Sequence, residues 1–497
     1  MINERDGNAG FLTVALYERN FGSEVTGDFT LPDYNAEIRR ILNVTPTVLP
    51  PSKYVSDNSV EFNGVVDYLV TYVGADGEMY SVPLSSDYSF NVPLDKGEYA
   101  DTCDDVAVLC SIGVESANTR VSAPRRLSVR CRIRPNVRVY ARIPTAVSCD
   151  SEVNVAGIYT HSQKAESLVC ESATSDVITV TSIFSSPSDD TRVVKAESYV
   201  NVTSHEPSPS GIGCRGSVEI KLLVCKDESG AYETITGSVP FDGEIDLEKG
   251  LGDGGVRLGG IPAEMSVNIT DTGIECSVGV IVEATVCRNS QMEYTDDIYS
   301  TQHECDLTLR RSNVKRLAGS MGGSFTVSER IPLADAKLSE GAEIIDVCAT
   351  ASMDKCAVEN GKCVLGGVAS FNVIYRKDGE IFSSDVPVDI RYSGDCNADG
   401  ALSFDCHCEP MKIAAKLDGG NLCIDAEMAI TADIVSENAV STVRKVNFGE
   451  EIPRPESQLV VCYPTASDTV WSVAKRYKVP VSSVSGDPAT DRFVIIE

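Results

Sequence analysis

Alternating apolar and polar residues recur along most of the chain. In the clearest case, residues 129–139, valine, cysteine or isoleucine occupies nearly every second position, and arginine fills most of the positions between. A period of two is typical of a β-strand with one buried face, whereas an amphipathic helix repeats every 3.6 residues. Valine, isoleucine and threonine, which favour strands, are frequent throughout. The pattern therefore predicts a mostly β protein.

Helical spacing of apolar residues is confined to two short regions. Residues 35–42 predict a short helix early in the chain. Near the C-terminus, Asp468 is a suitable N-cap for a helix, and Pro480 opens a second short helix. Short strands are predicted on either side of the two helices, at 459–463 and 493–496. The C-terminal residues thus predict a small β-α-α-β module.

A strand, a tight turn and a second strand recur three times. The three copies begin at Gly64, Gly216 and Gly367, about 150 residues apart. A second landmark with nearly the same spacing begins at Leu127, Cys276 and Leu422. Two landmarks with one period indicate internal repeats. We predict three tandem β-sandwich-like repeats of about 150 residues, followed by the small module.

These landmarks divide the chain into five regions. The linker is predicted to be a semi-rigid spacer because it combines two prolines with several charges. The predicted bounds are 1–148, 149–318 and 319–449 for the three repeats, 450–457 for the linker and 458–497 for the module.

The chain is strongly acidic, with 73 Asp and Glu against 43 Lys and Arg in 497 residues and a net charge of −30. Such a chain repels the phosphates of nucleic acids and anionic membrane surfaces. The sequence has no run of about 18 apolar residues that would cross a membrane, and no basic-then-apolar leader. We therefore expect a cytoplasmic protein that binds no nucleic acid.

Eighteen cysteines are scattered through the chain, and no C-x-x-C motif occurs. In a reducing cytosol we expect most of them to be free thiols that pack as small core side chains. The alternative, a disulfide framework, is permitted by the even count.

Motifs that would indicate catalysis are weak. The two G-x-G-x-x-G strings, at 211–216 and 250–255, lack the strand-then-helix context of a dinucleotide site. Residues 395–400 have the spacing of a calcium loop but lack its closing glutamate, and 406–408 offer only two cysteines to a zinc ion. No H-E-x-x-H, G-x-S-x-G or P-loop occurs. We expect a protein that is not an enzyme and needs no cofactor or metal.

A row of arginines on the polar face of the 126–142 strand is unexpected in so acidic a chain. One interpretation is a solvated strand face. The other is an electrostatic docking site for another repeat or for an acidic partner. The candidate residues are Arg130, Arg132, Arg134 and Arg138.

Residues 468–477, with the sequence DTVWSVAKRY, resemble the signature of the LysM family. Ser467 stands where that family usually has glycine, and Trp471 and Tyr477 are interpreted as helix-packing residues. The resemblance implies that two loops form one binding edge for N-acetyl sugars or for a protein partner. The candidate residues of this edge are Thr465, Ser467, Asp468, Thr469, Ser485 and Gly486.

The repeats resemble the SPOCS-type domain of spore-coat proteins, most clearly over residues 31–42 and 64–72. Three such domains followed by a LysM module imply a non-catalytic scaffold of the spore coat. The implied location is the mother-cell cytoplasm at the forespore surface, and the implied partner is the ATPase of the coat basement layer or another coat protein. The alternative is a protein that binds peptidoglycan or its lipid-linked precursor.

Overall fold

A computed structural model describes residues 10–99, 103, 105–149, 157–186, 191–226, 230–247, 255–396, 402–453 and 459–496. Antiparallel strands dominate these ranges, and helices are few and short. The predicted mostly β class is confirmed.

Unit 1 is formed by the first eight strands and contains two antiparallel sheets. One sheet has the order β1-β8-β2 with β7 also paired to β8, and the other has the order β3-β5-β4 with β6 also paired to β5. A 3-10 helix, Gly97–Tyr99, follows β6. The strands are β1 Phe11–Asn20, β2 Ser23–Thr30, β3 Ile38–Val48, β4 Ser52–Val55, β5 Ser59–Gly74, β6 Met79–Pro93, β7 Asp105–Ala123 and β8 Arg126–Pro144.

Unit 2 repeats this arrangement with the orders β10-β16-β11, with β15 also paired to β16, and β12-β13-β14. It follows a two-residue strand, β9, that pairs in parallel with the strand Asn421–Glu451 of the third unit. The strands are β9 Ser148–Cys149, β10 Ile158–Thr174, β11 Ile178–Phe184, β12 Thr191–Pro207, β13 Gly211–Lys226, β14 Ala231–Asp246, β15 Gly255–Thr270 and β16 Gly273–Ser300.

Unit 3 has the orders β17-β22-β21 and β18-β19-β20. The predicted repeat boundary between residues 318 and 319 is wrong, because it falls inside β17, which pairs with β22 along its whole length. Two strands of the other units are joined into one here, so the unit begins at His303. The strands are β17 His303–Pro332, β18 Glu343–Glu359, β19 Lys362–Lys377, β20 Glu380–Asp395, β21 Leu402–Asp418 and β22 Asn421–Glu451.

Each unit buries an apolar core between its two sheets. The inner face of β8 illustrates how the alternation produces this core: Val129, Cys131 and Ile133 are buried, whereas the arginines between them lie on the other face. One disulfide, Cys363–Cys396, connects β19 to the segment just after β20, and the other cysteines form no disulfide.

The helix predicted for residues 35–42 is wrong, because the chain from Ile38 onward forms β3 and pairs with β5. The register shifts between Ile38 and Arg40, and again between Ile41 and Asn43. Each β-bulge adds a residue to one strand and so interrupts the period of two. Apolar residues consequently recur three or four positions apart, as they would in a helix.

The three units close into a ring, and one type of contact recurs at each of their interfaces: an arginine of one unit lies over an aromatic ring of the next. The aromatic residues lie near the starts of β6, β14 and β20. The distances from the guanidinium carbon to the ring centroid are 4.7 Å for Arg192 on Tyr80, 5.2 Å for Arg376 on Tyr232 and 4.3 Å for Arg40 on Phe382.

These arginines also donate hydrogen bonds to the neighbouring backbone, Arg192 to the Met79 carbonyl at 3.0 Å and Arg376 to the Gly230 carbonyl at 2.7 Å. Unit 2 places its arginine on the aromatic residue of unit 1, unit 3 on that of unit 2, and unit 1 on that of unit 3. A head-to-tail interface that returns to its start closes a ring. An apolar cluster shared by the units fills the space beside these contacts and contains Leu42, Val73, Met79, Val194, Leu223, Cys225, Ile374 and Ile381.

The tail module, residues 459–496, is a three-stranded sheet covered by one α-helix. The second predicted helix is only a 3-10 turn, and an additional short strand follows it. The elements are β23 Val460–Cys462, α1 Val470–Tyr477, the 3-10 turn Val481–Ser483, β24 Val484–Ser485 and β25 Val494–Ile496.

Candidate functional site

Three of the four candidate arginines lie on a solvated strand face. Arg130, Arg132 and Arg134 pair with acids of their own unit, Arg130 with Glu24 at 3.4 Å and the other two with Glu115 at 2.7 and 3.8 Å. The side chain of Arg130 is 68% exposed. For these three residues, the structure favours a solvated face within unit 1 over contacts with another repeat.

Arg138 is different, because its side chain is only 2% exposed and reaches another unit. It lies 2.6 Å from Asp405 of unit 3, and Arg257 of unit 2 contacts the same carboxylate. Arg257 Nε lies 3.0 Å from Asp433. Of the four arginines, Arg138 is the one that joins repeats.

Asp405 is buried at the meeting point of all three units. Burial by itself would raise the pKa of this carboxyl, but Arg257 and Arg138 outweigh burial and hold the pKa well below its usual value. A hydrogen bond from Ser111 also favours the carboxylate. The cluster is therefore a fully charged junction that is internal to the molecule.

The loop edge of the tail module consists of Thr465, Ser467, Asp468, Thr469, Ser485 and Gly486. Two loops form it, one after β23 and one between β24 and β25. Cys462 pairs with Val494, and Ser485 pairs with Ile495, so both loops leave the sheet at the same end. All six candidates are exposed except Asp468. The structure thus brings the predicted residues to one edge.

Asp468 organises the first loop from within. Its carboxylate accepts hydrogen bonds from the Thr465 N–H at 2.8 Å and the Thr465 hydroxyl at 3.1 Å, and it pairs with Arg476. The Thr465 N–H and the Arg476 guanidinium hold the pKa of Asp468 at about 2. The prediction that Asp468 is the N-cap of the helix is wrong, because its carboxylate is directed to the loop and to Arg476.

Thr469 is the N-cap of α1. Its hydroxyl accepts a hydrogen bond from the Ser472 N–H at 3.1 Å, and the Ser472 hydroxyl accepts one from the Thr469 N–H at 2.8 Å. This reciprocal capping box satisfies two N–H groups that have no partner within the helix. Lys478 caps the C-terminal end of α1 and adopts the left-handed conformation.

The second loop is held by its own carboxylates. Asp487 accepts hydrogen bonds from the Ala489 N–H at 3.0 Å and the Thr490 hydroxyl at 3.2 Å, and Asp491 accepts one from the Asp487 N–H at 2.7 Å. Gly486 has a φ of +106°, in the region that favours glycine. Both loops are preformed, so a ligand would not have to order them on binding.

Exposed rings adjoin this edge. The ring centroids of Tyr463 and Phe493 are 6.4 Å apart, and both side chains are largely exposed. Each ring lies next to one of the two loops. The edge therefore offers hydroxyl groups, backbone groups and an aromatic surface, which suits the recognition of a polar partner.

A cleft of about 270 Å³ lies between units 2 and 3. Its walls include His205, Met321, Arg257 and Asp433, and the last two neutralise each other. Among the residues that the structure describes, no group of three or more His, Cys, Asp or Glu is placed to hold a metal ion. Cys406 is half-buried and Cys408 is buried against the core of unit 3.

No protein-family model matches the chain, and no curated protein or solved structure matches it significantly. Within the described ranges, no helix has the length and apolarity to span a bilayer. The family resemblances stay predictions.

Proposed function

We propose that this chain is a non-catalytic scaffold in spore-coat assembly. Its LysM-like tail module recruits it to the forespore surface, in the mother-cell cytoplasm, by binding the ATPase of the coat basement layer. The observation that carries the proposal is the loop edge, which is preformed, exposed and composed of residues from two loops at one end of the tail sheet.

The body supports a scaffold role through the way its units are held together. Buried ion pairs and apolar clusters join the three units at two separate junctions. A body of this kind keeps its binding surfaces at fixed distances and orientations. Domains joined by flexible linkers would not do so.

Binding of an N-acetylglucosamine polymer is the second candidate. It is favoured by the exposed ring of Tyr463, two residues before Thr465 of the loop edge. Sugar rings pack their apolar faces on aromatic side chains, and their hydroxyl groups bond to polar groups beside the ring.

The test measures binding of purified basement-layer ATPase to the full chain, to a chain ending at Ser457, and to the double variant Ser467→Glu/Ser485→Glu. Thr179→Glu, an exposed position of unit 2, is the control. We expect truncation and the double variant to abolish binding and the control to keep it.

Soluble peptidoglycan fragments are added as competitor. ATPase binding that survives both the fragments and the loss of the loop edge contradicts recruitment through this edge. If the fragments themselves bind the chain and the double variant loses this binding, the loop edge recognises the sugar polymer.

A further inference from the structure

We propose that one face of α1 is a docking surface for the body, and that this contact reversibly fixes the direction of the loop edge. We call Trp471, Lys475 and Lys478 the docking face. Trp471 and Lys475 are four positions apart, so they project from the same side of the helix, and Lys478 is the residue that caps its C-terminal end. The proposal goes beyond recruitment, because it concerns how the tail is held when no partner is bound.

Trp471 is the centre of the contact. Its ring lies edge-on to Tyr299 of unit 2, with 4.9 Å between the centroids, and 5.1 Å from the ring of His161. Its indole N–H donates a hydrogen bond to Asp297 at 2.8 Å. Tyr299 in turn donates a hydrogen bond to the Val479 carbonyl of the tail at 2.7 Å. Aromatic packing and directional hydrogen bonds thus specify one orientation.

The two lysines add charge complementarity. Lys475 Nζ lies 2.5 Å from Asp297, the same carboxylate that accepts from Trp471. Lys478 Nζ lies 3.1 Å from Glu304 at the start of unit 3. The docking face is thus an aromatic residue flanked by two cations, and the body meets it with an aromatic residue and two acids.

The opposite side of α1 serves the tail's own fold. Val473 is buried in one cluster with Val494 and Ile496 of β25, Tyr477 packs against this cluster, and Ala474 is also buried. The module's core therefore does not depend on the docking face. Trp471 and the two lysines are not part of that core and contact the body instead.

The contact is reversible because its ion pairs are partly solvated. The side chains of Lys475 and Asp297 are 38% and 25% exposed, and Glu304 is more exposed still. Salt screens such pairs, and each stabilises a contact only weakly. The loop edge stays exposed while the tail is docked, so a ligand of the loop edge binds the docked form, whereas a ligand of the docking face must first displace the body.

Trp471 is the only tryptophan of the chain, so its fluorescence reports on this contact alone. The experiment compares the full chain with Asp297→Asn and Lys475→Gln, and uses Asp306→Asn as the control because that residue is exposed and its substitution removes the same charge. The readouts are emission wavelength and quenching by acrylamide, with near-ultraviolet circular dichroism to show that each variant is folded.

We expect both docking variants to shift emission to the red and to raise the quenching constant about twofold, as a weakened contact exposes the indole. High salt should cause the same red shift and stronger quenching in the unmodified chain. Asp306→Asn should give the emission and quenching of the unmodified chain. Emission that stays the same in both folded variants and in high salt overturns the proposal. So does quenching that falls with rising protein concentration, since this would place the contact between copies. The test needs no partner, so it is independent of the proposed function.

Discussion

At the scale of single residues, the decisive features are buried carboxylates that lie against cations of another unit. Asp346 of unit 3 lies 3.0 Å from Lys195 of unit 2 and also contacts Lys221. Burial would raise the pKa of Asp346, but the two ammonium groups outweigh it and hold the pKa well below its usual value. Lys195 is itself buried and also lies 2.7 Å from Glu197. Nothing in the local sequence distinguishes these residues from surface charges.

Replacing Asp346 with alanine should be strongly destabilising. The buried ammonium group of Lys195 would keep only Glu197, and the mostly buried one of Lys221 would lose its carboxylate partner, which costs about 3–5 kcal/mol. Urea unfolding of the variant should show this loss in the free energy of unfolding. Glu359→Ala, which breaks the exposed pair with Arg391, is the control and should cost about 0–1 kcal/mol. Equal effects of the two substitutions would contradict the importance of burial.

Stability should fall on acidification. A carboxyl whose folded pKa lies below its unfolded pKa of about 3.9 contributes stability above that pH, and the contribution is lost as pH falls towards the folded value. Asp346 and Asp405 both belong to this class.

Urea midpoints measured from about pH 6 down to pH 2 should therefore decline in the unmodified chain, and decline less steeply in Asp405→Asn. The control is Asp418→Asn, whose carboxylate is largely exposed. Parallel curves for the unmodified chain and Asp405→Asn would show that this carboxylate is not held in its charged form by the fold.

At the scale of elements, the same arginine–aromatic contact occurs at each interface of the ring. The alternation along each strand predicts which face is buried, as in β8, where Val129 and Cys131 face the core. It does not predict bulges, which is why β3 resembled a helix in the sequence. It also does not predict what covers an outward face, which is why Arg134 and Arg138 could not be told apart.

Replacing Arg40 with alanine should loosen the interface between units 1 and 3. The guanidinium lies over Phe382 and donates to the Ile381 carbonyl, so both interactions are lost. We expect a loss of about 1–2 kcal/mol. Hydrogen exchange should become faster at the start of β20, with little change in unit 2. Arg330→Ala, at an exposed pair with Asp418, is the control. Unchanged exchange at β20 would mean that this contact does not hold the ring closed.

At the scale of the whole molecule, the three units share their junctions and so should unfold together. Arg138, Arg257 and Asp405 come from three different units and form one buried cluster. A second shared cluster contains Tyr140, Cys170 and Val435, again one from each unit. The tail is attached by a much smaller contact.

Calorimetry should therefore show one main transition for the body. A chain ending at Ser457 should melt within about 2 °C of the full chain, since removing the tail leaves both junctions intact. Three separate transitions would contradict the closed ring. A large drop in melting temperature on truncation would show that the tail stabilises the body.

Local pattern by itself determined the mostly β class, the buried faces of strands such as β8, and the compact module at the C-terminus. These follow from periodicity and turn residues within a few positions of one another. The tertiary structure decided that Arg138 is buried while Arg130 is solvated, that β17 is one strand, and that Trp471 leaves its own module to pack on Tyr299. Each of these depends on which distant segment covers a surface, and the partners lie between about 90 and 270 residues away in the chain, beyond the reach of any local pattern.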